Sequence, residues 1–190
     1  MKEKKINVKE VITVTVSLLL ICVITTALLA FVSGVTEKPI AENNKIAQNA
    51  AMLNVLSDAS EFRAIRENVV YEALGEDGGV IGYAVKTSAD GYGGKVSVMT
   101  GISRDGEIIK VAVVSASDET PGLGLNVKKE DFLIQFSGRE VPLVLVNASS
   151  STGANNEIHA VTSATYSSRA VVNAVNEAIE IFKEATGGEA

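Results

Sequence analysis

The chain has a single cysteine, Cys22, and a single histidine, His159. It cannot close a disulfide within itself, ligate an iron–sulfur cluster through cysteines, or build a zinc site from three or four Cys/His ligands. No Gly-x-Gly-x-x-Gly dinucleotide fingerprint occurs, and no nucleophile-elbow sequence surrounds a serine. His159, with Ser163 four residues on, is therefore not read as a hydrolytic pair, because a triad also needs an orienting acid and an oxyanion hole. Positive charge is scarce: 17 Lys and Arg stand against 23 Asp and Glu in 190 residues, a net of −6. Beyond residue 36 the balance is 13 against 21, a net of −8. Nucleic-acid binding takes its affinity largely from cations on phosphate, so this composition argues against it.

Charge of either sign is absent from residues 11–36, 26 consecutive positions. About 20 apolar residues in a helix cross the hydrocarbon core of a bilayer. A cleaved signal peptide has an apolar region of only about 7–15 residues. Residues 11–35 are thus expected to be a retained transmembrane anchor. A lipoprotein signal at Cys22 would want a small residue before it, and Ile21 stands there; Cys22 reads as a lipid-facing or packing thiol. Lys2, Lys4, Lys5 and Lys9 precede the run. The positive-inside rule then makes residues 1–10 a cytoplasmic N-terminus on the inner membrane. Residues 36–65 become a juxtamembrane helix and linker, and 66–190 a domain on the extracytoplasmic side.

Beyond the anchor, Ile46, Ala50, Leu53 and Leu56 recur at helical spacing, which predicts a helix over 43–62 that begins after a break at Pro39. Strands are expected over 69–74, 80–87, 95–101 and 107–115, separated by Gly- and Asp-rich turns. A short helix over 129–136, a strand over 141–146 and a polar loop over 147–156 follow. Val171, Val172, Val175, Ile179 and Phe182 mark an amphipathic helix over 164–185. This order predicts an α+β fold: an N-terminal transmembrane helix, then one domain with a mainly antiparallel sheet and flanking helices.

Three motifs could carry chemistry. Thr162-Ser163-Ala164-Thr165-Tyr166-Ser167-Ser168 places five hydroxyls at the start of the last helix. One hydroxyl suffices for an N-cap. The same place suits a phosphate, because free N–H groups and the positive end of the helix dipole meet there. Glu119-Thr120-Pro121-Gly122-Leu123-Gly124 follows a strand. It suits a type II turn, and Gly124 could also let backbone approach a planar ligand. Gly91-Tyr92-Gly93-Gly94 is explained by a hairpin turn.

Taken together in this order behind an anchor, the motifs resemble the G component of the Rnf ion-translocating electron-transport complex, over essentially the whole chain. That family is related to the C component of the Na+-translocating NADH:quinone oxidoreductase. The Pro-Gly-Leu-Gly and Ser-Ala-Thr segments are the specific parts. The resemblance implies an FMN-binding domain whose FMN is joined by a flavin transferase, through its phosphate, to a Thr hydroxyl. The family pattern reads Asp, two variable residues, Ser or Thr, Gly, Ala, Thr. Aligned on it, the acceptor is Thr165, preceded by Ala164 and by the hydroxyl of Thr162. His159 stands where the pattern has Asp, and Ser163 where it has Gly. A Gly at 163 would matter if the backbone there is left-handed.

Further implications concern the surroundings. Donors among residues 162–168, Ser163 and Ser168 included, would satisfy the phosphate. The flavin ring would lie against Leu123, Gly124 and the turn containing Gly93 and Gly94, with Glu119 and Thr120 as hydrogen-bonding candidates. The family implies electron transfer between membrane and iron–sulfur partner subunits, in a complex coupling ferredoxin:NAD+ chemistry to Na+ or H+ movement. Two alternatives remain open: a flavin-free anchored module that binds a ligand or scaffolds other subunits, and an FMN-domain conduit of another membrane reductase.

Overall fold

The computed structural model describes residues 8–147 and 149–187. Lys2, Lys4 and Lys5, on which the expected orientation leans most, lie outside the described residues. Two compact units divide the chain, Met1–Lys45 and Ile46–Ala190.

The first unit is helical. Helix α1 spans Val8–Val55 without interruption and carries Pro39 inside it. The expected break at Pro39 does not occur. A proline removes one N–H from the ladder, and this helix has many turns of intact hydrogen bonds on either side to carry the loss. Its N-terminal part is long and apolar enough to cross a membrane, and its side chains there are exposed. The few hydroxyls in that stretch turn back on their own backbone. Thr13 donates to the Lys9 carbonyl, Thr15 to Val11, Ser17 to Thr13, Thr25 to Ile21 and Thr36 to Val32, each at 2.8–2.9 Å. A helix facing hydrocarbon needs such internal partners, because lipid offers none.

The second unit is built on one antiparallel sheet of five strands: β1 (Glu61–Arg66), β2 (Val70–Leu74), β3 (Val80–Asp90), β4 (Lys95–Ser103) and β5 (Ile108–Ser115). They lie in sequence order as a meander. The alternation along each strand sorts residues onto two faces. On β4, Val96, Val98, Thr100 and Ile102 face one side, with Val85, Val111 and Val70. Helix α3 (Thr165–Thr186) covers that side through Val171, Val175, Ile179 and Phe182. Thr87 ties the two layers by donating to the Ala174 carbonyl at 2.8 Å. The Thr100 hydroxyl, also on this face, is buried without a hydrogen-bond partner. On the other side, Met99, Ala84 and Ala112 meet Ala51, Met52, Val55 and Leu56. Gly101 makes this close approach possible: a Cβ there would overlap the Val55 carbonyl. The expected α+β class and antiparallel sheet are thus present.

Several boundaries differ from the sequence expectation. The helix expected over 43–62 ends at Val55, and Phe62 lies instead in β1, opposite Ala73. The turn at 57–58 and Ser60, which donates to the carbonyls of Leu74 and Gly75, stop the helix and start the sheet. The compact unit begins at Ile46. β1 is an edge strand, largely exposed, with Arg63 paired to Glu72 of β2. The helix expected over 129–136 is one turn, α2 (Glu130–Leu133), between the 3-10 segments Gly124–Lys128 and Ile134–Phe136. The strand expected over 141–146 shortens to β6 (Val144–Val146). It pairs in parallel with β7 (Glu157–His159), which the sequence pattern does not predict.

The loop before β7 is folded around one carboxylate. Glu157 accepts from the Ser151 hydroxyl at 2.7 Å and from the N–H groups of Thr152 and Gly153 at 3.0 and 3.1 Å. The Thr152 hydroxyl donates to it as well. These bonds to the charged form, the Thr152 hydroxyl first, lower its pKa from 4.5 to about 2. A depressed carboxyl stabilises the fold above its unfolded pKa and loses that contribution as it protonates. The loop at 150–157 should therefore loosen as pH falls from about 4.5 towards 2. Protection of the Thr152 and Gly153 amides, their exchange relative to the intrinsic rate at each pH, should fall over that window, and Glu157→Gln should remove the dependence. Protection that stays flat through the window in the unaltered protein would show the cage is not held by the ionised carboxylate.

Candidate functional site

Helix α3 begins at Thr165 because the chain ahead of it is turned sharply. Ser163 has φ +62°, in the left-handed region that favours glycine. Ala164 is the N-cap residue, and no side chain caps the helix. The N–H groups of a first helical turn have no acceptor inside the helix. Those of Thr165, Tyr166 and Ser167 therefore open forward with the positive end of a 22-residue helix behind them. The dense hydroxyls do not serve as caps. Ser167 donates elsewhere, and Ser168 is buried, donating to the Ala164 carbonyl at 2.9 Å and accepting from the Val161 N–H at 3.0 Å.

Opposite this helix start lies the loop after β5. Leu123 N–H donates to the Thr120 carbonyl at 3.1 Å, and Gly122 has φ +79°. This is the type II turn that Pro121-Gly122 suggested. The residue before the turn, Glu119, is the link between segments. It is 3% exposed. One carboxylate oxygen accepts from the N–H groups of Tyr92 and Gly93 at 2.7 and 3.2 Å; the other accepts from the Ser167 hydroxyl at 2.6 Å. Three segments far apart in sequence thus meet on one carboxylate. The glycines are required by this packing. A Cβ on Gly124 would overlap the Glu119 carboxylate, and one on Gly93 would overlap the Asp118 carbonyl.

The result is a recess of about 300 Å³. Thr165, Ala164 and Ser163 line one wall, Leu123, Gly124 and Thr120 the other, with Glu119 between them. The structure brings these seven sequence-predicted residues together. Gly93 and Gly94 support the recess from behind by packing on Asp118 rather than lining it. Thr162 lies outside, in a separate depression with His159, and Ser168 is interior. Both Glu119 oxygens already accept protein donors, so its part is to hold the walls. Tyr92, Tyr166 and Ser167 also line the recess; the sequence motifs at 91–94 and 162–168 contain them but do not single them out. The adjacency of Tyr166 and Ser167 to Thr165, and of Tyr92 to the glycines, was the available signal. A recess of comparable size, near Lys110, Lys128 and Ile134, holds none of these residues. Among the described residues no cluster of His, Cys, Asp and Glu could hold a metal ion.

A family model described as FMN-binding domain matches residues 91–180, the span that contains every wall of this recess. A second, described as RnfG N-terminal region, matches residues 1–55. The chain is 31% identical over 188 residues to the G component of the proton-translocating ferredoxin:NAD(+) oxidoreductase complex of Clostridium ljungdahlii, covering 99% of each. The chain belongs to the RnfG family. It is also 34% identical to the G component of the Na(+)-translocating ferredoxin:NAD(+) oxidoreductase complex of Acetobacterium woodii, over 96% of this chain and 97% of that one. The fold matches a solved structure of the C component of Na(+)-translocating NADH-quinone reductase from Parabacteroides distasonis. There the TM-score is 0.53 at 20% identity, over 61% of each chain. NqrC from Shewanella oneidensis gives 0.51 at 18% identity, over 70% of this chain and 74% of that one.

Two expectations follow for this member of the family. Glu119→Gln keeps the shape but turns an amide N–H₂ towards a donor that now lacks its acceptor. It should destabilise the domain by about 1–3 kcal/mol in denaturant titration, since hydrogen bonds to buried charge are worth about that much. Ser163→Gly relieves a left-handed serine at the cost of a looser unfolded chain. It should be neutral or stabilising by up to about 1 kcal/mol, whereas Ser163→Val should lower Tm, a β-branched residue being costlier there.

Proposed function

We propose that this chain is a membrane-anchored electron-transfer subunit that holds covalent FMN, joined by a phosphoester to the Thr165 hydroxyl. It would act in an Rnf-type ferredoxin:NAD+ oxidoreductase that couples electron transfer to Na+ or H+ translocation. The observation that carries the reading is the place of Thr165. It is the first residue of an uncapped helix, and it lines the recess that the FMN-binding match encloses.

The donor set fits the group. Unpaired N–H groups and the helix dipole suit a phosphodiester, and Gly124 leaves a wall that any Cβ would fill. When bound, FMN supplies one- and two-electron redox chemistry that no side chain here provides. This chain's residues bind and orient. Thr165 Oγ fixes the point of attachment. The first-turn N–H groups would donate hydrogen bonds to the FMN phosphate. Glu119 keeps the 91–94 turn and the 118–124 loop against α3. Leu123 offers apolar surface. Position 159, where the family pattern has Asp, lies outside the recess, so His159 bears on recognition by the transferase rather than on the flavin. No protein group acts as nucleophile or general base in turnover.

The remaining parts of the reading concern surroundings. Segment 11–35 of α1 anchors the chain in the inner membrane with the N-terminus cytoplasmic, and the domain faces the extracytoplasmic side. NAD and ferredoxin are handled by iron–sulfur and membrane partner subunits, since this sequence has neither a dinucleotide fingerprint nor cluster ligands. A flavin transferase is the maturation partner.

The test is intact mass after co-expression with a flavin transferase. We expect an added mass of FMN less water on the peptide containing Thr165, and a band fluorescent under denaturing conditions. Thr165→Ala should lose both while changing stability by less than about 1 kcal/mol, as is usual for residues outside a core. An unmodified mass would favour a flavin-free anchored module.

A further inference from the structure

The mouth of the recess carries two exposed aromatic rings. Tyr92 is 76% exposed and Tyr166 is 66% exposed. They come from separate segments, the 91–94 turn and the first turn of α3. Their centroids nevertheless lie 6.4 Å apart with planes inclined by 51°, within the range of a favourable ring pair. The Arg169 guanidinium stands 5.9 Å from the Tyr166 centroid, close enough to hold that ring by cation–π attraction. Glu119 sets the Tyr92 backbone at 2.7 Å. Each ring is thus positioned, yet neither is buried.

The recess itself is small. At about 300 Å³ it sits at the lower end of ligand sites, which run from roughly 300 to 1,000 Å³. A recess of that size would take only part of a flavin tethered at Thr165. With its phosphate and chain in the recess, its three fused rings would extend across the rim. The apolar surfaces at that rim are Leu123 and these two tyrosines.

We propose that Tyr92 and Tyr166 form the shelf on which the isoalloxazine ring packs, with Arg169 holding Tyr166 in place. The proposal rests on the covalent-flavin reading. Neither tyrosine is required for attachment, because Thr165 supplies the bonding oxygen.

The shelf has an optical signature. A phenol ring in contact with a photoexcited flavin gives it an electron and takes it back without net reaction, so the emission is quenched. The full-length chain, co-expressed with the transferase, is compared with Tyr92→Leu, Tyr166→Leu, the double variant and Tyr166→Phe. Intact mass gives the flavin load, and emission lifetime is measured per loaded flavin in the folded state. We expect full loading throughout, a short lifetime in the unaltered protein, and a several-fold longer one in the double variant. Tyr166→Phe should lengthen the lifetime too, since a phenyl ring packs alike but is a poor electron donor. Unfolding should equalise all loaded forms. Added mass with equal folded-state lifetimes in all forms would overturn the shelf and leave the tether standing. No added mass on the unaltered protein would overturn the tether, and the shelf with it.

Discussion

One buried carboxylate organises the functional end of this domain. Glu119 binds a turn, a loop and a helix start that are brought from positions 92, 119 and 167. It holds the three against one another. The 91–94 turn is rich in glycine, the 118–124 loop has no regular structure before its 3-10 segment, and the first turn of α3 lacks a cap. A buried charge is costly unless hydrogen bonds satisfy it. Three donors do so here, and a nearby helix N-terminus adds favourable potential. The cost of burial is thus converted into specificity of position. The glycines at 93 and 124 follow from this, because the carboxylate and its loop leave no space for side chains beside them.

The rest of the unit supplies a rigid support for that junction. The sheet is covered on both faces, by α3 on one and by the last turns of α1 on the other. Helix α3 is therefore fixed along its length by Val171, Val175, Ile179 and Phe182. Its N-terminus inherits that rigidity, and so does Thr165. A group attached at the head of a helix whose body is core has few ways to drift. The names of the two sequence relatives carry different coupling ions, proton in one and Na(+) in the other.

Much of this is legible in the sequence, for physical reasons that can be named. The uncharged run and the apolar stripe of α3 are long periodic signals. The strands from 70 to 115 alternate and are separated by glycine and aspartate turns. The recess walls are legible because their motifs are unusual in composition and lie in a recognisable order. What escapes is set by tertiary contact. β7 is three residues long and exists only because β6 lies beside it. β1 escapes because its exposed face carries no apolar alternation. Pro39 suggests a break because local propensity does not weigh the turns on either side. Glu119 reads from sequence as a ligand contact, and its engagement by Tyr92, Gly93 and Ser167 is visible only in the fold. A left-handed backbone at Ser163, raised by the family's glycine, is present at φ +62°.

The two rims of the sheet are treated differently. β5 is shielded where the Gly138 N–H donates to the Ile108 carbonyl. β1 has no neighbour beyond it among the described residues, and it carries Glu61, Arg63 and Arg66 with Arg63 latched to Glu72. An open strand invites a second sheet to extend it, and charged side chains discourage that. Proteins confined to a surface collide with their own kind far more often than they do when free in three dimensions. A bare strand tolerable in dilute solution becomes a hazard under such confinement. The charges along β1 therefore discourage this edge from pairing with another sheet.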